Sequence, residues 1–322
     1  MRRGSLQYWP HRRAKKQMPR VRNWAKSAEA SFSGFVAYKV GMTHVTMMDD
    51  TESTHKGTEV SKPVTILEMP KVTLYGMRFY KMDNNYRKIA GEVLSKESAV
   101  AVGMKNPKST VEKLEHYKKS AHEFADVTAL MYSNAENLGF GNKRVMRFEV
   151  NIGGKDAAEK MAFIEKWLGK EVKVTDVLKD GDYIDVKSIS KGRGWAGVIK
   201  RFGVARLARK ATNKIRHVGT LGPWHPAKVT YMVPQAGHMG YNFRTEINKR
   251  VLKIGSPSDL DMIKMKGGFI NYGNVKNDFI ILEGSIPGVS KRLVRLRKAI
   301  RNKAPIKKPE IKFVSTSSKQ GA

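Results

Sequence analysis

Cysteine is absent from all 322 residues. That excludes disulfides, cysteine-ligated zinc and iron–sulfur centres, and thiolate nucleophiles, and it agrees with a reducing compartment. Apolar runs are short, and none approaches the roughly 20 residues needed to cross a bilayer. The opening MRRGSLQYWPHRRAKKQ is basic but has no apolar stretch, so it does not read as a secretory signal. Pro10 and Pro19 fit an amphipathic transit helix poorly. The most informative shortage is of carboxylates. Residues 1–28 hold nine Lys/Arg and no acid, residues 186–245 hold twelve and no acid, and residues 284–322 hold eleven with Glu310 alone against them. The remaining 195 residues carry 29 basic and 28 acidic side chains.

What is present follows from that distribution. The net charge is +32, and it resides in three cationic segments around a nearly neutral body. Sixty consecutive residues without a carboxylate repel one another unless a polyanion neutralises them. Nucleic acid is the first expectation and an anionic membrane the second. Aromatic residues interleave the charge: Tyr8, Trp9 and Trp24 in the first segment, and Trp195, Phe202, Trp224, Tyr231, Tyr241 and Phe243 in the second. Aromatic faces stack on splayed bases while cations meet phosphates, which is the RNA-facing combination.

The body reads as strands, then an α/β segment, then strands. GFVAYKVGMTHVTMMDD (34–50) suggests strand, turn at Gly41, strand. KPVTILEMP (62–70) is a third strand, and VTLYGMRFY (72–80) a fourth with a bulge at Gly76. Ser109 and Glu112 suggest a capping box, followed by Val111, Leu114, Ala121 and Phe124 at roughly helical spacing. Residues 156–170 read as a helix from Asp156 to Gly169 with Met161, Ile164 and Leu168 on one face. Strands are expected at 126–132 and 144–152. DYIDVKSISK (182–191) alternates as a half-buried strand, and 267–288 reads as two strands about an Asn-Asp turn. This order predicts an antiparallel barrel interrupted by an insertion.

Several chemical readings are weak. GRGWAG (192–197) has the G-x-G-x-x-G spacing, but the next carboxylate is Glu246, far beyond the position that would hold a ribose. A glycine-rich turn that lets backbone approach phosphate is the better reading. His217, His225 and His238 lie among cations, with no carboxylate near to orient a ring for a metal. Residues 186–245 offer no acid to complete a catalytic triad. Asp49 and Asp50, like Asp180, Asp182 and Asp185, read as turn or strand-edge carboxylates. No cofactor, metal or small-molecule substrate is expected.

The segments RRGSLQYWPHRRA, GFVAYKVGMTHV, KGRGWAGVIKRFG, GTLGPWHPAKV, QAGHMGYNFRTEINKRVLKIG, GGFINYG and GSIPGVSKRLVRLRKAIR resemble the large-subunit ribosomal protein three family in its archaeal and eukaryotic form. The resemblance runs in order through nearly the whole chain and is loose over 100–170. It implies a mainly β fold with an α/β insertion: a translation-factor-like β-barrel with long basic extensions. The expected division is a basic N-terminal extension (1–33), first barrel part (34–100), insertion (101–170), second barrel part (171–290) containing the internal extension (186–248), and a basic C-terminal tail (291–322). It implies a structural role in the cytoplasmic large ribosomal subunit, support of early subunit assembly, and partners that are large-subunit ribosomal RNA and neighbouring ribosomal proteins, with no membrane and no enzymatic activity. The competing reading is an enzyme that modifies ribosomal RNA.

By that resemblance Trp224 is the tip of a finger approaching the peptidyl transferase centre, with His225 and Pro226 behind it. Pro223 and Pro226 stiffen the tip. Arg206, Arg209, Lys210, Lys214, Arg216 and Lys228 would neutralise phosphate along the stalk. The other RNA-binding candidates in the extension are Lys191, Arg193, Trp195, Lys200, Arg201, His217, Gln235, His238 and Arg244. In the N-terminal segment they are Arg2, Arg3, Trp9, Arg12, Arg13, Lys15 and Lys16. In the tail they are Lys291, Arg292, Arg295 and Arg297.

Overall fold

A computed structural model of the chain describes residues 3–104, 111–135, 138–142, 144–211, 214–302 and 305–318. The chain forms two compact units. The first, here the basic unit, is Met1–Gln17 with Ile189–Arg244, and the second, the body, is Met18–Ser188 with Thr245–Ala322.

The elements up to the internal extension are β1 (Gly34–Met48), β2 (Glu59–Glu68), β3 (Lys71–Asp83), β4 (Tyr86–Leu94), α1 (Lys96–Ala101), α2 (Val111–Lys119), β5 (Asp126–Asn134), β6 (Met146–Asn151), α3 (Ala157–Trp167), β7 (Glu171–Val172) and β8 (Tyr183–Ile189). There follow β9 (Trp195–Ala196), α4 (Val198–Phe202), β10 (Gly237–His238), β11 (Phe243–Gly255), β12 (Phe279–Glu283), β13 (Leu293–Lys298) and β14 (Ile311–Val314). The protein is mainly β. A seven-stranded sheet runs β13-β8-β11-β12-β2-β1-β14, and β1 also pairs with β13. A second sheet runs β4-β3-β5-β6, with β7 added to β3.

β1 is one strand where two were expected. Its Val, Thr, Phe and Tyr residues favour an extended chain throughout. Gly41 does not turn the chain; the register slips there as a bulge, between Lys39 and Gly41. A Cβ at Gly41 would stand 3.0 Å from the Phe269 ring. The first half of β1 pairs with β13 (Gly34 opposite Arg297 to Tyr38 opposite Leu293), and the second half with β14. Gly76 in β3 does mark a register shift, as its sequence context predicts. The hairpin from β3 to β4 turns at Asn84 and Asn85, both at positive φ, which asparagine tolerates better than most residues.

Large apolar side chains from both sheets merge into one core that includes Phe35, Tyr38, Met47, Leu67, Phe79, Met131 and Phe279. Each such side chain contributes on the order of 1.5–3 kcal/mol when fully buried. α3 adds Met161 and Ile164 to that core, and Phe163 and Trp167 meet Phe32 at 5.0 and 5.7 Å. α2 contributes Leu114, and Tyr117 lies 4.6 Å from Phe79. The capping box expected at Ser109 falls outside the described residues. The 267–288 segment holds a single strand, β12; its first half is turns fastened by Glu68. The Glu68 carboxylate is fully buried and accepts from the Tyr272 hydroxyl, from the backbone N–H groups of Lys276 (2.8 Å) and Asn277 (3.0 Å), and from Asn277 Nδ2.

Two charged segments are more deeply built into the fold than their sequence suggests. Within the expected basic C-terminal tail (291–322), β13 and β14 are sheet strands, and between them Arg250 Nη2 donates to the Lys307 carbonyl (2.8 Å). Asp50 accepts from both terminal nitrogens of the same guanidinium, with Nη1 at 2.7 Å from Oδ1. β8 is not half-exposed, because both of its faces are covered. Asp185 and Lys187 of β8 stand opposite Arg297 and Arg295 of β13. Residues 18–24 lie over that polar face: Arg297 donates to the Asn23 carbonyl, and the Arg295 guanidinium sits 5.6 Å over the Trp24 ring. Burial, with Arg297 and Arg295 close by, pulls the Lys187 ammonium down to about 8.

Candidate nucleic-acid interface

The basic unit joins two segments that are far apart in sequence. It contains seventeen Lys/Arg and no Asp or Glu, whereas the body contains 44 Lys/Arg against 29 Asp/Glu. The body is therefore itself cationic, more so than the segment counts suggest, because it absorbs the third charged run.

The extension begins with a glycine turn at Gly192 and Gly194, the latter at φ +64. Trp195–Ala196 then pairs with Gly237–His238 as β9 and β10. α4 follows at once and stops at Gly203, whose left-handed conformation (φ 64) ends the helix. The GRGWAG stretch thus starts a two-stranded ladder and a helix. Across the ladder, Arg201 Nε donates to the His238 carbonyl (3.1 Å) and Nη1 to the Gln235 carbonyl (2.8 Å). Gly237 leaves room for it: a Cβ there would lie 2.7 Å from Arg201 Nη1 and would push the guanidinium aside.

The N-terminal segment completes this base. Ala14 donates its N–H to the Tyr241 carbonyl (2.9 Å), and Asn242 Nδ2 donates to the Arg12 carbonyl (2.9 Å). Trp9 packs 6.0 Å from Phe202, 5.7 Å from Tyr231 and 4.5 Å from His11. Tyr8 lies under the Arg244 guanidinium at 4.7 Å. A small aromatic cluster therefore exists inside the unit, and Trp9 and Phe202 pack within the protein. The sequence offered no way to bring the two segments together.

Two tryptophans outside that cluster are exposed, Trp224 at 88% and Trp195 at 79%, and Tyr231 is 68% exposed although it packs on Trp9. Every residue from 219 to 231 is exposed. A run of exposed residues that includes large apolar side chains is a candidate interaction surface. Among the cationic candidates, Arg3, Arg12, Arg13, Lys15, Lys16, Lys191, Arg193, Lys200, Arg206, Arg209, Lys210, Lys214, Arg216 and Lys228 are exposed, as are His217, His225 and Gln235. Arg201, His238 and Arg244 are half-buried at the base. Arg2 lies outside the described residues.

Two tail candidates are misplaced. Arg295 and Arg297 are buried in β13 of the body. Arg297 donates to Asp185 through Nε (2.9 Å) and Nη2 (2.7 Å), and Arg295 donates to the Glu149 carbonyl. Their donors face protein acceptors, and burial lowers the Arg295 guanidinium to about 10. Lys291 is exposed and Arg292 half-buried. Conversely, His11 and Tyr8 belong to the site's base and were not among the candidates. The aromatic–proline–basic run YWPHRR was the signal that could have marked them.

Residues 1–321 match the family described as ribosomal protein L3. The chain is 39% identical over 332 residues to the large ribosomal subunit protein uL3 of Methanothermobacter thermautotrophicus, covering 99% of this chain and 98% of that one. It is 40% identical over 333 residues to the protein of that name from Methanocaldococcus jannaschii (99% and 97% covered). Against its counterpart in Methanococcoides burtonii the identity is 42% over 334 residues (99% and 98%).

Proposed function

Since the chain belongs to the ribosomal protein L3 family, we propose that it is a structural protein of the cytoplasmic large ribosomal subunit, anchored in large-subunit ribosomal RNA by its basic unit. It is a ribosomal protein and not an enzyme. The observation that carries the RNA reading is the coincidence, in one unit, of seventeen Lys/Arg without a carboxylate and a fully presented tryptophan. Phosphate is the partner that neutralises such a surface without competing acids. Arg206, Arg209, Lys210, Lys214 and Arg216 precede the exposed 219–231 segment in sequence, Lys228 lies within it, and all six meet backbone phosphates. Arg3, Arg12, Arg13, Lys15 and Lys16 do so from the N-terminal segment, and Lys191, Arg193 and Lys200 from the ladder.

Trp224 acts by shape. Its indole has no group that ionises near neutral pH, so it contributes stacking or wedging in RNA, next to the peptidyl transferase centre. Trp195 presents a second exposed ring. The body offers its surface to neighbouring ribosomal proteins and supports early subunit assembly. The pairing of β1 with both β2 and β13 supports reading the large sheet as a closed, translation-factor-like barrel.

The test is sedimentation of the native protein from cell extract after a high-salt wash. Retention with the large subunit is expected. Release at salt concentrations that leave the other large-subunit proteins in place would overturn the RNA-anchored role.

A further inference from the structure

At the base of the basic unit, four donors gather with no acid among them. The His11 ring is set edge-on to Trp9 (4.5 Å) and to Phe202 (5.6 Å). The Arg201 guanidinium lies over the other ring of that pair, 5.0 Å from the Phe202 centroid. His238 is joined to Arg201 through its carbonyl, and its ring Nε2 is buried with no hydrogen-bond partner among the described residues. Arg244 is held over Tyr8 and gives one Nη1–H to the Phe243 carbonyl (2.9 Å).

The electrostatics at His11 come from one sign only. Burial lowers its affinity for a proton, and the charges of Arg201, Arg244 and His238 lower it further. The remaining charged residues on the elements packed there are Arg12 and Arg13 beside it, Lys191 and Arg193 leading into β9, and Lys200 on α4, again all basic. Such an arrangement is self-repelling as it stands. A carboxylate from the same unit cannot relieve it, since the unit has none. The Trp9 and Phe202 rings line one side of His11. Guanidinium groups offer paired N–H donors that match the oxygens of a phosphate.

Building on the RNA-anchored role above, we infer that His11, His238, Arg201 and Arg244 form a binding site for one phosphate group of the RNA backbone, and that filling the site draws a proton onto His11. The anion offsets the positive charge around the ring, so the imidazolium is less disfavoured in the complex than without it. Binding then takes up a proton. The direction follows: affinity at this site is greatest below the titration midpoint of free His11. It falls as pH rises through the window between that midpoint, which lies below 6.5, and the raised midpoint of the complex. Within that window one linked proton changes affinity by about tenfold per pH unit.

The experiment is a histidine-selective NMR titration of the full chain, alone, with inorganic phosphate exchanged for chloride at constant ionic strength, and with transcribed large-subunit ribosomal RNA. His11→Gln identifies the resonance. Both ligands are expected to raise the His11 midpoint, and RNA affinity measured between pH 5.5 and 8 is expected to fall with pH in the wild type and to flatten in His11→Gln. His238→Gln should diminish the phosphate-induced shift, and the wild-type titration requires no variant to fold. A His11 midpoint unmoved by either ligand overturns the site, even when RNA binds. A response to inorganic phosphate without one to RNA assigns the site to a free anion and overturns its RNA half. Absence of RNA binding at every pH defeats the RNA-anchored role instead, and the phosphate arm still decides whether the site exists.

Discussion

The body and the basic unit use the same residue types in opposite ways. In β13 of the body, arginines at alternate positions turn their guanidinium groups onto Asp185, the Glu149 carbonyl and the strap formed by residues 18–24. Arg250 does the same with Asp50 and Lys307. In the basic unit, Arg206, Arg209, Lys210 and Lys214 stand in solvent, and none takes part in an ion pair among the described residues. A count of positive charge along the chain treats the two alike. What separates them is whether an acceptor stands within reach once the chain folds. A buried guanidinium with a carboxylate is part of the scaffold, and an exposed one with no carboxylate nearby is available to a partner.

The largest expected effect sharpens this contrast from the body's side. Asp185 is 1% exposed and carries two hydrogen bonds from Arg297, besides one from the Asn248 N–H (3.1 Å). Asp185→Ala leaves a guanidinium buried without its counter-ion, at a cost of about 3–5 kcal/mol. Thermal unfolding should show a matching fall in Tm. An unchanged Tm would mean that Arg297 is satisfied by the strap alone, and the contrast with the basic unit would weaken.

From the other side, replacing Arg209, Lys210 and Lys214 together with alanine should leave Tm unchanged and make RNA binding less salt-dependent. For every phosphate no longer neutralised, the slope of log affinity against log salt should become shallower by about 0.7–0.9. A steep fall in Tm with an unchanged slope would place these residues with the body's arginines as scaffold.

Smaller effects refine the comparison. Glu68→Gln replaces a carboxylate that accepts from Tyr272 and from two backbone N–H groups by an amide with one oxygen. At least one buried donor is then left without its acceptor, costing about 1–3 kcal/mol in urea unfolding. RNA affinity should not change, because the damage stays within the body. Trp224→Ala should do the reverse: no change in unfolding, and RNA binding weaker by about 1–3 kcal/mol, with the altered RNA around the tip read by chemical probing of mutant ribosomes. Trp224→Phe keeps a ring and should be the mildest of all. If Trp224→Ala blocks subunit assembly while Arg209, Lys210 and Lys214 prove dispensable, the tip rather than the stalk is the anchor.

The sequence alone determined a good deal. Apolar periodicity placed most body strands and the helix at 157–167, because burial imposes a period of two on strands and 3.6 on helices wherever one face meets the core. The absence of carboxylates over 186–245 marked the charged extension, and the family motifs located Trp224 on it. Tertiary structure decided the rest. Periodicity is silent where both faces are covered, so β8 read as half-exposed and the continuous β1 read as two strands. Charge carries no information about distant acceptors, so Arg295 and Arg297 read as RNA-binding until β8 and the 18–24 strap enclosed them. The union of residues 3–17 with 189–244 depends on backbone hydrogen bonds and ring packing between segments distant in sequence, such as Ala14 with Tyr241 and Trp9 with Phe202. A local pattern cannot encode such a pairing, because each segment alone is only polar, basic and aromatic, and the packing that gives those residues a site exists once the chain has closed on itself.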